Sequence, residues 1–121
     1  MDVGTIRLNE TNIFLAEDCY RTTKSWEKIR GLMGRPRLNP SSAILFDRSD
    51  CIHTFFMRYS VDILYLDKDL KVVKTVNSMK PWRLSFCLDA FSILVLSGGA
   101  IRKQKLTSNP QLTWSFRQNL W

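Results

Sequence analysis

The chain has 121 residues, of which 45% are apolar and 24% charged, with a formal net charge of +7. Such values belong to globular chains and exclude global disorder and fibrous repeats, and this length suits one domain, residues 1–121, with a core of ordinary size. No apolar run approaches the ~20 residues that cross a bilayer, and MDVGTIRLNE lacks the layout of a secretory signal, so a cytoplasmic chain with no transmembrane segment is expected.

Residues 5–8 and 13–15 flank the polar turn NETN and read as a hairpin. The period then changes: Trp26, Ile29, Leu32 and Met33 fall on one helix face. Thr22, Thr23 or Ser25 can cap that helix, and Gly34 with Pro36 ends it. Arg30 sits at the edge of the apolar face, from which it either reaches a cleft or packs its stem and wets its head. RPRLNPSS is a loop, and residues 43–46 (AILF) a short strand.

The most informative stretch is CIHTFFMRYSVDILYLD at residues 51–67, which holds the only histidine. His53, Arg58 and Asp62 stand among aromatic and branched apolar residues, so each needs a hydrogen bond, a charge partner or exposure in a cleft. Residues 61–66 and 71–76 form the clearest hairpin, around Asp67-Lys68-Asp69. These aspartates suit turn chemistry better than a calcium loop, which needs a central glycine and a distal glutamate.

Residues 79–87 (MKPWRLSFC) read as a crossing loop or edge, with Trp82 and Arg83 placed to stack on a ligand. Residues 93–96 read as a central strand running into Ser97-Gly98-Gly99 and a short helix. That junction can cap a helix or present backbone N–H groups to an anion, and the plain cap is preferred. Leu112, Trp114 and Phe116 alternate with polar residues, as in an edge strand.

The charge is uneven. Residues 1–70 carry ten basic and ten acidic side chains, whereas residues 71–121 carry eight basic ones and only Asp89. Lys71, Lys74, Arg102, Lys103 and Lys105 therefore define a candidate basic surface for a protein partner or nucleic acid, or serve solubility alone. With Trp82, Trp114, Phe116 and Trp121 nearby in sequence, single-strand binding is chemically allowed, but no nucleic-acid motif supports it.

No catalytic signature is complete. Cys51 and His53 lie two apart on a predicted strand, yet no third group is positioned to orient the imidazole. Cys19, Cys51 and Cys87 form no CxxC pair and are read as three buried, reduced thiols. No metal site, cofactor or catalytic residue is assigned.

Several separated pieces resemble one family: RGLMGR at 30–35, AILF at 43–46, IHTFFMRYSVDILYLD at 52–67, KVVK at 71–74, MKPWR at 79–83, Cys87, and ILVLSGG at 93–99. In their order and spacing they are similar to the bacterial and archaeal domain of unknown function 192, over about residues 16–106, with residues 107–121 left as a strand or tail. The resemblance implies an α+β fold: a compact, strongly bent, barrel-like antiparallel sheet with one main helix and a short C-terminal helix. It implies no reaction.

The family's polar positions fall on Arg30, His53, Met57 and Asp62, with the glycine turn at Gly98 and Gly99. Departures stand at Val95 where glutamate is usual, Ser97 and Ser60 where proline is usual, and Leu70 where the hairpin turn has glycine. Export signals and lipid anchors, common in relatives, are not expected here. The expectation is a non-catalytic module with a cleft lined by Arg30, His53, Phe55, Met57, Asp62 and Trp82 beside Gly98 and Gly99, for a small anionic or amphipathic ligand. The alternatives are an interaction or nucleic-acid module using the basic surface, and a small enzyme with His53 as acid or base.

Overall fold

The computed structural model describes residues 2–9, 14–22, 42–53, 60–80, 82–98 and 110–116. Nine strands are found among them: β1 (Asp2–Leu8), β2 (Phe14–Thr22), β3 (Ser42–Asp47), β4 (Cys51–His53), β5 (Val61–Leu66), β6 (Val72–Met79), β7 (Leu84–Phe86), β8 (Ser92–Ser97) and β9 (Leu112–Phe116). Seven of them make one sheet in the order β6-β5-β8-β3-β2-β1-β9, and β4 pairs with β7 in a separate ribbon.

The α+β expectation is corrected: the described residues contain no helix and form a mostly-β fold with a curled, half-barrel sheet. The apolar periodicities at 43–46, 61–66 and 93–96 are strand periodicities, and the opening hairpin and the tail join the same sheet as β1, β2 and β9. The helix expected around Arg30 and the short one after Gly99 both fall outside the described residues. The sheet is also not wholly antiparallel, because β2 and β3 run parallel, with Cys19 opposite Ala43 and Arg21 opposite Leu45.

The curl brings the two edges of the sheet together at one point. Lys71 bridges Gln111, the Val72 amide donates to the Pro110 carbonyl at 2.9 Å, and the Leu112 amide donates to the Leu70 carbonyl at 2.9 Å. Register shifts in β1/β2 and β5/β6 supply the bend, since an extra residue on one strand raises local twist.

Apolar side chains collect on both faces. The concave face holds Ile6, Cys19, Ala43, Leu45, Leu64, Leu66, Leu94, Leu96 and Leu112. The convex face holds Ile44, Phe46, Val61, Ile63, Tyr65, Ile93 and Val95. Burial on both faces explains why β3, β5 and β8 read as nearly unbroken apolar runs. β8 is interior to the sheet, between β5 and β3, as residues 93–96 predict.

Candidate functional site

The alternation of β5 decides where the candidate residues go. Ile63 and Tyr65 face the convex core, whereas Leu64 and Leu66 face the concave one, so Asp62 lies on the concave side, opposite Leu96 of β8. Asp62 is 1% exposed, and the Ser78 amide donates to its Oδ1 at 2.7 Å. That bond sits at a bulge: Val61 pairs with Met79 but Ile63 with Val76, leaving Asn77 and Ser78 opposite the aspartate. Ser78 has φ 51°, and the carboxylate secures an amide that the irregular ladder would otherwise leave unpaired.

Gly98 meets the same end of β5. Val61 pairs with Ser97, and a Cβ on residue 98 would lie 2.9 Å from the Ser60 carbonyl oxygen, so only glycine fits without movement. Val95, where the resemblance leads us to expect a glutamate, is fully buried in the convex core, and an ionised carboxylate there would be costly.

Trp82 belongs elsewhere. It has φ 62° and precedes β7, whose backbone pairs with β4 through His53–Leu84 and Cys51–Phe86. The ribbon is fixed to the convex side of β5, because the Tyr65 hydroxyl donates to Ser85 Oγ at 2.8 Å. Asp62 and this anchor therefore lie on opposite faces of one strand. Arg30, Phe55, Met57 and Gly99 lie outside the described residues, as does the side chain of His53.

Of the basic candidates, Lys71 and Lys74 are exposed, and Arg102, Lys103 and Lys105 lie outside the described residues. Lys74 Nζ donates to the Phe86 carbonyl at 3.1 Å and lies 5.6 Å from the centre of the Tyr65 ring, so it braces the ribbon from β6. Asp67 has the turn role expected of it: its Oδ1 accepts the amides of Asp69 at 2.9 Å and Lys71 at 3.0 Å.

Two features escaped sequence reading. The first is the polarity of β7. With Ser85 turned to Tyr65, its strand neighbours Leu84 and Phe86 face out, 66% and 59% exposed, and Trp82 and Leu88, which flank the strand in turns, are 56% and 82% exposed. The alternation WRLSFCL carried the signal, but its apolar side is the outward one. The second is an Arg21–Asp47 pair, with Nε to Oδ2 at 2.6 Å, Nη2 to Oδ1 at 3.1 Å and the guanidinium 5.1 Å from the Trp114 ring centre. No local signal links residues 26 apart.

The three cysteines are free but not alike. Cys19 is buried, Cys51 is exposed and Cys87 is half-buried, which corrects the expectation of three buried thiols. Burial pushes the Cys19 thiol up to about 12, with Arg21 partly opposing, so this thiol is inert near neutral pH. Burial also raises Tyr65, against the lowering effect of its bond to Ser85. Among the described residues no three His, Cys, Asp or Glu side chains come together as metal ligands, and no helix is long and apolar enough to cross a membrane.

The family model DUF192, described as "Uncharacterized ACR, COG1430", matches residues 9–114. A structure from Sinorhizobium meliloti 1021, described as a "putative transcription regulator", superimposes with a TM-score of 0.74 at 14% identity, over 93% of this chain and 92% of that one. A protein of unknown function from Novosphingobium aromaticivorans DSM 12444 does so with a TM-score of 0.72 at 18% identity, over 93% of this chain and 84% of that one. At these identities the likeness is one of fold. No curated protein matches the chain.

Proposed function

The chain belongs to the DUF192 family, and from that premise we propose a non-catalytic binding module that takes an amphipathic, anionic ligand on the outer face of the β4–β7 ribbon. The observation that carries this reading is the outward row Trp82, Leu84, Phe86 and Leu88. A strand anchored on a core ordinarily turns its apolar side inward, whereas β7 spends a serine on the core and leaves its large apolar side chains in water. Four large apolar side chains left exposed within seven residues suit an interaction site. Lys80 and Arg83 on either side of Trp82 suit an anionic group. Asp62, engaged by the Ser78 amide on the other face of β5, serves as a staple for the bulge in this reading.

The test is an amide-resolved NMR titration with decyl phosphate below its micelle concentration. Shifts concentrated on residues 51 and 82–88 are expected. Shifts confined to Asp62, Ser78 and Gly98 would move the site to the concave side, and an unresponsive spectrum would overturn the proposal.

A further inference from the structure

The occupant of the outward row can be argued from its own chemistry. Leu88 and Leu84 are its most exposed members, and aliphatic side chains offer nothing to a stacked base, whereas they partition readily into acyl chains. Trp82 stands beside them with Lys80 and Arg83 close in sequence, all three exposed. An indole at the level of lipid headgroups with cations beside it is the arrangement that anchors proteins at a membrane surface.

Charge agrees in sign. Lys74, Lys80 and Arg83 on and beside the ribbon outnumber the exposed Asp50 and Asp89, and the whole chain carries +7. Resting on the ribbon reading above, we infer that the β4–β7 ribbon docks this protein peripherally on an anionic lipid bilayer, with Trp82, Leu84, Phe86 and Leu88 entering the interface. The seven-stranded sheet stays in water.

Cosedimentation of the full chain with vesicles tests this. Binding to mixed phosphatidylcholine and phosphatidylserine vesicles is expected, weakened by salt and much weaker with phosphatidylcholine alone. Combined Leu84→Ser, Phe86→Ser and Leu88→Ser should lower partitioning by about tenfold or more while leaving the denaturation midpoint near wild type, because these side chains already face solvent. Should that variant not fold, Trp82→Phe serves: brominated acyl chains should quench the wild type and lose most of that effect in the variant.

If mixed vesicles fail to bind while decyl phosphate still shifts the ribbon amides, the membrane inference fails and the binding module stands. If neither binds, both fail. Vesicle binding unchanged in the triple serine variant would also overturn it, as would a single-stranded oligonucleotide binding the ribbon while vesicles do not.

Discussion

The Tyr65 hydroxyl donates to Ser85 Oγ across 2.8 Å, and together with the bond from Lys74 Nζ to the Phe86 carbonyl it joins the seven-stranded sheet to the β4–β7 ribbon and turns Ser85 inward. Tyr65 is fully buried and Ser85 only half so. Tyr65→Phe should therefore cost about 1 kcal/mol, since Ser85 can turn to water when its donor is lost. The local effect should exceed the global one. Amide exchange of residues 51–53 and 84–86 should quicken while β3 and β8 stay protected, and uniform protection throughout would mean that the ribbon is held by other contacts.

The Cys19 thiol gives the fold a pH dependence of defined sign. Its value rises from 9.0 to about 12 on folding, chiefly through burial. Above about pH 9 the unfolded chain releases this proton while the native state keeps it, so stability falls by up to ~1.4 kcal/mol per pH unit until about pH 12. Below pH 9 this contribution is fully present. Tyr65, also raised, adds in the same direction above its ordinary value of 10.0. Urea midpoints measured across pH 8–11 should decline, and Cys19→Ala should flatten the part that begins first.

Sequence patterning made most of the sheet legible, residue by residue. AILF at 43–46 read as a short strand and ILVL at 93–96 as a central one, as β3 and β8 are, and Asp67 suited the β5–β6 turn that its side-chain oxygen closes. The parallel pairing of β2 with β3 was not legible, because FLAEDCYRT has no strict alternation to fix its register. The grouping of His53 with Asp62 needed the face of β5 to be known, and that depends on tertiary register. The exposure of Trp82, Leu84, Phe86 and Leu88 was hidden by the rule that apolar residues go inward. That rule describes averages and carries no information about which face of β7 meets Tyr65.

Asp62 offers a test of whether its carboxylate is structural. Removing the acceptor in Asp62→Ala leaves the Ser78 amide unpaired in a part-buried bulge, which should cost about 1–3 kcal/mol. Asp62→Asn keeps an acceptor oxygen and should cost less. In both variants the amide resonances of residues 76–79 should move most. If instead decyl phosphate binding is lost in Asp62→Asn while stability is unchanged, the carboxylate belongs to a ligand site and not to the bulge.

Leu70 closes the β5–β6 turn at φ 60°, a conformation glycine adopts freely and leucine at a cost of about 1–2 kcal/mol. Its amide donates to the Asp67 carbonyl at 3.1 Å and its carbonyl accepts from Leu112 at 2.9 Å, so the backbone is held on both sides. The side chain offsets part of the strain by packing against the concave core. Two substitutions separate these effects. Leu70→Ala keeps the strain and loses the packing, and should destabilise by about 1 kcal/mol or more. Leu70→Gly loses the same packing but removes the strain, and should lie within about 1 kcal/mol of wild type. The ordering is the test: chemical denaturation should rank the glycine variant above the alanine one. The reverse ranking would mean that the turn relaxes out of the left-handed region when the leucine is removed.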